Sequence, residues 1–221
     1  MNQTYAVDIR NFSYSELWRL APGLSFLLAA RHRLFGIPRR ISATVTRLDG
    51  LTILKEGDVP GDVTAALDPM VKAWESLGFQ AVFRYTVPSI GPGRRSFAAA
   101  LLSLDGRIVA QVMFVEVSLR GITRRQLVTS CYGFMADGTY VGATSERKRF
   151  NPPPQFKGVY LPGAQPQALC EACLRQLGKA VQTYPVVQTT ETLEALIVKV
   201  NNAHVDFQVS RGVYVPVELA P

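Results

Sequence analysis

Between residues 79 and 144 the chain runs through five β-rich segments, Phe79 to Val87, Ser96 to Leu104, Arg107 to Leu119, Thr123 to Met135 and Thr139 to Thr144. Their connections are short or turn-like, which predicts an antiparallel meander. Asp105-Gly106 and Asp137-Gly138 fall between successive runs, and Asp-Gly favours tight hairpins because both residues tolerate positive φ. A third Asp-Gly pair, Asp49-Gly50, lies between Ile41 to Leu48 and Leu51 to Lys55 and predicts another hairpin. Val109 to Val117 is apolar on both alternating sets apart from Gln111 and Glu116. That pattern predicts a central strand covered on both faces.

The rest of the chain changes period. Tyr5, Val7 and Ile9 alternate as in a short strand, and Ser13-x-x-Glu16 is a capping box that opens a helix. Pro22 interrupts it, and a second helix from about Leu24 to Phe35 ends on Arg31, His32 and Arg33 before Gly36 and Pro38. Asp68-Pro69 suits the N-cap and first position of a helix with Met70, Val71, Trp74 and Leu77 on one side and Gly78 at its end. Helical spacing returns over Ala168 to Val181 and again from Thr190, with Leu193, Leu196, Ile197 and Val200 facing inward. Val205, Phe207 and Val209, the turn Ser210-Arg211-Gly212, and Val213, Val215 and Val217 predict a closing hairpin, with Pro216 on an edge strand.

These elements predict an α+β fold: an antiparallel meander of about five core strands covered by helices from 60–78 and 165–204, with an N-terminal helical hairpin and a C-terminal β-hairpin. One domain, 1–221, is expected, in which 1–58 embellish a sheet-and-helix core at 59–221. At 221 residues and 48% hydrophobic composition, the chain buries a full core without needing a disulfide or a metal. Three cysteines make no disulfide framework and fit a reducing compartment. The start of the chain lacks a secretory pattern, and the longest apolar stretch, Leu24 to Ala30, is too short for a bilayer. The expected location is the cytoplasm, with room for peripheral membrane association.

Charge narrows the function. The formal net charge is +7, with 18 Arg against 6 Lys, and residues 84–125 hold seven Arg against Asp105 and Glu116. Arginine suits bidentate contact with carboxylates and phosphates. Gly91-Pro92-Gly93 leads into Arg94-Arg95, and Arg120, Arg124 and Arg125 flank another turn. The leading expectation is therefore a binding or accessory protein without catalysis, contacting an acidic protein partner or an anionic membrane surface through Arg94, Arg95, Arg124 and Arg125. Trp18, Phe26, Arg31, Arg39 and Arg40 form an apolar segment with a basic edge, an anchor for a membrane surface or partner, or simply a packed helix pair.

Three other readings stay open. An apolar pocket between sheet and helices, lined by Trp74, Phe83, Tyr85, Phe114 and Tyr132, would make the chain a small-molecule-binding domain, with Phe156 and Tyr160 in a stiff Pro-rich loop at its rim. The arginine content would also suit nucleic acid, but no strand carries an RNP1-like run of aromatics. An enzyme would have to rely on Cys131 or Cys170, or on the acidic group Asp58, Asp62, Asp68 and Glu75, because no nucleophile-elbow, phosphate-loop, dinucleotide or zinc-protease motif occurs. Cys170-x-x-Cys173 has metal or redox spacing, yet it lies where a helix needs core residues, and no second such pair exists. His32 and His204 are the only histidines, and both are expected at helix ends. No cofactor or metal is expected.

Overall fold

The computed structural model describes residues 4–36, 40–55, 57–87, 93–119, 121–135, 137–178 and 189–216. Its fold is α+β. The main sheet has seven strands in the order β3 (Thr52–Leu54), β4 (Phe79–Thr86), β5 (Arg94–Ser103), β6 (Ile108–Leu119), β7 (Ile122–Phe134), β8 (Tyr140–Thr144) and β9 (Phe156–Tyr160). All neighbours are antiparallel except β8 and β9. The predicted meander is β4 to β8, and β6 stands in the middle of the sheet.

Both faces of β6 are covered, as its composition requires. Ile108, Ala110, Val112 and Phe114 pack under α3 (Gly61–Glu75) and α4 (Pro166–Leu177), in one core with Trp74 and Leu169. Val109 and Met113 face the other way, toward Leu193 and Ile197 of α5 (Thr190–Ser210). A bulge between Ala81 and Phe83 reverses the alternation of β4, so Phe79 lies in the first core while Phe83 and Tyr85 lie in the second. Beneath α3, the buried Trp74 indole N–H donates to the Thr129 hydroxyl at 2.7 Å, and that hydroxyl donates to the Gln111 carbonyl at 2.9 Å.

A second, three-stranded sheet joins both ends of the chain: β10 (Tyr214–Pro216), β1 (Thr4–Asp8) and β2 (Arg40–Thr46). The helical hairpin α1 (Tyr14–Leu20) and α2 (Leu24–Leu34) accompanies it. Its core, with Tyr5, Val7, Phe12, Leu17 and Tyr214, also takes Val205 from α5. The first half of α5 thus closes the main sheet and its last turns close the second.

Four expectations are corrected. Asp49-Gly50 is not a hairpin, because β2 pairs with β1 and β3 with β4. The segment crosses between the sheets along α5, whose side chains satisfy its backbone: Asn202 exchanges two bonds with Leu48, each 2.8 Å, and Glu194 accepts from the Leu51 N–H at 2.8 Å. The closing hairpin is absent, because α5 continues without a breaker to Ser210 and carries Val205, Phe207 and Val209 within it. Gly212 at φ +69° then turns the chain into β10, which pairs with β1 instead. Asp68-Pro69 does not start a helix. Helix α3 starts at Gly61 and tolerates Pro69 inside it, while Asp68 pairs with Arg84. Phe156 and Tyr160 belong to a parallel edge strand rather than a loop.

The predicted capping box forms at α1, and it has a wider role. Glu16 is fully buried and accepts from the Ser13 N–H at 2.8 Å, the Asn151 N–H at 2.7 Å and Arg211 at 2.8 Å. Burial by itself would raise this carboxyl. The bonds from Arg211, the Asn151 and Ser13 amides and the Ser13 hydroxyl outweigh it and hold Glu16 at about 2, against an ordinary 4.5. Because the folded value lies below the unfolded one, this stabilisation is complete above the ordinary value and is lost as pH falls through about 2.

Two stability predictions follow from these contacts. Trp74→Ala should cost roughly 3–5 kcal/mol by urea unfolding, whereas Trp74→Phe, which loses mainly the bond to Thr129, should cost only about 1–2 kcal/mol. Glu16→Gln should lower stability at neutral pH by about 3–5 kcal/mol, since Arg211 loses its charged partner. Measured from neutral pH down to about 2, the native protein should lose on the order of 3 kcal/mol through this group. The variant's urea midpoints should lack that acid limb.

Candidate ligand-binding site

Helix α5 does not seal its face of the sheet. A pocket of about 280 Å³ remains between them and opens to solvent. Its floor is Tyr85 from β4, Gln111 and Met113 from β6, and Tyr132 from β7. Ile197, Val200, Asn201 and His204 of α5 form the opposite wall. Tyr140 and Glu146 come from β8 and the turn after it, and Pro152, Pro153, Phe156 and Tyr160 form the rim.

The rim is held from the second sheet. Asn151 donates its N–H to Glu16, accepts at its carbonyl from the fully buried Gln208 at 2.7 Å, and accepts at its side chain from Arg19 at 2.9 Å. Three prolines follow directly, and their fixed φ leaves the segment few other conformations. Aromatic rings then run in edge and tilted contacts around the wall: Tyr132–Phe134 at 5.6 Å, Tyr140–Phe156 at 5.3 Å and Phe156–Tyr160 at 6.1 Å.

The polar groups of the pocket are unevenly satisfied. The Gln111 side-chain amide donates to the Tyr85 hydroxyl at 2.9 Å. Tyr132 is 95% buried, yet its hydroxyl has no hydrogen-bond partner among the described residues. A buried hydroxyl without a partner costs about 1–3 kcal/mol, so it marks a place for a ligand atom or water. Burial raises the phenols of Tyr85, Tyr132 and Tyr140, which stay neutral. Burial also raises the Glu146 carboxyl, outweighing the opposing charge of Arg149. His204 moves the other way, since burial and the charge of Arg211 both disfavour its cation.

The structure divides the predicted pocket set. Tyr85 and Tyr132 line the cavity, and Phe83 packs beside Tyr85 at 5.8 Å in the same core. Trp74 and Phe114 do not line it; they lie on the opposite face, sealed under α3 and α4, because even and odd positions of β6 face opposite ways. Glu146, Tyr140, Asn201 and His204 were not foreseen as pocket residues. His204 lies well inside α5 rather than at its end. Gln111 carried the available signal, as a polar side chain inside an otherwise two-faced apolar strand.

The four candidate arginines separate into two pairs. Arg95 lies opposite Glu116, and Glu116 opposite Arg125, while Arg94 and Arg124 flank Val117 on the other face. Arg95 donates to Glu116 at 2.7 Å and to Asp62 at 2.5 Å, and Arg125 donates to Glu116 at 2.6 Å. These bonds hold Glu116 at about 2. Asp62, in the first turn of α3, thus serves this ion network. Gly91, Pro92 and Arg120 lie outside the described residues.

Of the anchor set, Trp18 and Phe26 meet edge to face at 5.3 Å between α1 and α2, and Arg31 is exposed. Arg39 lies outside the described residues, and Arg40 is described only by its backbone, at the start of β2. Among the described residues no helix is long and apolar enough to cross a membrane. Cys131 and Cys173 are buried, their thiols donating to the Leu169 and Val141 carbonyls, and Cys170 is half-buried. The hydrogen bond with Cys173 and burial keep Cys131 a thiol, and burial raises Cys170. No His or carboxylate is hydrogen-bonded to a cysteine among the described residues, and there no group of three or more His, Cys, Asp or Glu is placed for a metal.

A broader cleft of about 560 Å³ lies near the start of α4, bordered by Met70, Gln126, Ser145, Arg147, Arg149 and Gln165. Its arginines are exposed, and Arg149 already donates to Gln126 at 3.4 Å. Comparison with models of protein families, with curated proteins and with solved structures finds no match to this chain.

Proposed function

We propose that this chain is a small-molecule-binding protein whose site is the pocket between the main sheet and α5. The observation that carries this reading is the Tyr132 hydroxyl, buried against the cavity with no hydrogen-bond partner among the described residues. An apolar lining with a few convergent polar groups is the usual make-up of a ligand site, and about 280 Å³ falls just below the usual range of about 300–1,000 Å³. The ligand is therefore small and carries an acceptor for Tyr132. The arginine-loop reading has less support, because Arg95 and Arg125 already spend donors on Glu116 and Asp62.

One observation favours a second role, peripheral attachment to an anionic membrane. Leu24, Leu27, Leu28, Leu34 and Phe35 are 60–82% exposed and share one stripe of α2 with the exposed Arg31. Apolar side chains beside a cation suit the interface of an anionic bilayer, where an arginine reaches the headgroups. In a contact between two copies, Arg31 at the middle of the stripe would face its own charge.

Both roles are open to test. In a ligand-observed NMR screen of small fragments, binders should compete for one site, and Val200→Trp, which fills the cavity from its half-exposed helix wall, should abolish their binding while leaving circular dichroism unchanged. Tyr132→Phe should weaken acceptor-bearing fragments about tenfold, the value of one hydrogen bond. A screen whose binders ignore Val200→Trp would overturn the pocket reading. For the membrane, the protein should sediment with vesicles of phosphatidylcholine and phosphatidylglycerol at low salt. It should be released at high salt or by Leu27→Glu with Leu28→Glu, and equal recovery with pure phosphatidylcholine would remove the electrostatic part of that role.

A further inference from the structure

We infer that the pocket takes a small organic cation, an amine or quaternary ammonium group held against the rings of Tyr85, Tyr132, Tyr140 and Phe156 with Glu146 as its counter-charge. This rests on the pocket reading above and specifies its ligand. Aromatic faces carry negative potential and attract a desolvated cation.

The lining is unusual for this chain. Although the protein carries 24 Lys and Arg against 17 Asp and Glu, among the described residues no Lys or Arg lines the cavity, and the one carboxylate residue in that lining is Glu146. The one basic side chain in the lining, His204, is held toward its neutral form and presents no opposing charge. Burial keeps the phenols neutral, so the tyrosines contribute ring faces and hydroxyls rather than anions. An anionic ligand would meet Glu146, whose neighbouring base Arg149 lies outside the lining. A purely apolar ligand would leave the Tyr132 hydroxyl and the Glu146 carboxyl desolvated and without a partner, at a cost in free energy.

A cation bearing a hydroxyl or carbonyl answers both. Its charge supplies the half-buried Glu146 carboxylate with a counter-ion inside the pocket, and its oxygen accepts from Tyr132. Tyr160 stands apart from the cage, because Lys148 already sits over its ring at 5.8 Å. That contact shows an aromatic face at the rim engaging an ammonium group from the chain itself.

Choline and its uncharged carbon isostere, dimethylbutanol, separate charge from shape. By calorimetry on the native protein, choline should bind at least about tenfold more tightly than dimethylbutanol. Glu146→Gln should weaken choline about tenfold and leave dimethylbutanol unchanged. Equal affinities, or choline binding indifferent to Glu146→Gln, would overturn the cation assignment. If dimethylbutanol still bound and lost its site in Val200→Trp, the pocket reading would survive that result. Failure of both probes would also overturn the assignment, and the fragment screen would then decide the pocket separately. The comparison of the two probes needs no variant, so it stands even if a substitution unfolds the protein.

Discussion

Strand β6 sets the terms for the whole molecule. Its side chains are apolar on both faces, so neither face of the sheet centre can be left to water. Helices α3 and α4 fill one side with Trp74, Leu169 and Leu177, and the closeness is such that a Cβ at Gly133 would come within 3.0 Å of Leu177. The other side must be covered by a single helix, α5. One helix is about 10 Å wide, less than the span of the four strands β4 to β7 whose side chains share its core, so coverage is incomplete toward β8 and β9. The pocket occupies that shortfall.

The position of α5 is fixed less by the main sheet than by what lies at its far end. Its last turns carry Val205 into the second core, Gln208 to the Asn151 carbonyl, and Arg211 to Glu16. Along its middle, Glu194 and Asn202 bind the backbone of the crossing segment at Leu48 and Leu51. Helix and rim therefore share anchors: Glu16 holds both Arg211 and Asn151, and the proline segment begins at Asn151. The cavity's two walls are tied to one buried carboxylate, so pocket shape and fold stability depend on the same group.

The meander was legible because each of its strands reports its own environment through a period of two, and Asp-Gly marks two of its turns. Capping at Ser13 and the two-faced β6 were legible for the same reason, being local. What sequence could not place was non-local. Asp49-Gly50 and the Val205, Phe207, Val209 series both match hairpin patterns, yet their partners are α5 side chains in one case and helix continuation in the other. The pocket set shows the same limit: alternation identifies two faces of β6 but not which face a given helix seals. The bulge at Val82 then moves Tyr85 to the opposite side from Phe79. Glu146 and His204 had no pattern at all, since they meet only through the turn after β8 and the wall of α5.

Net charge was the least reliable guide to chemistry, and the reason is visible strand by strand. In the register of β5, β6 and β7, the two arginines on the α3 face flank a glutamate, and the first turn of α3 adds an aspartate. Two cations and two anions cancel there, leaving a local structural tie rather than a field. The basic excess must then be carried elsewhere, on exposed groups such as Arg31, Arg147 and Lys148. The proposed pocket reverses the average surface: its described lining offers neutral rings, an imidazole held toward its neutral form and one carboxyl. In the proposed site, selectivity would come from the absence of cations among the described lining residues as much as from the presence of Glu146, because a lysine or arginine inside the wall would occupy the ring faces first, as Lys148 does at Tyr160.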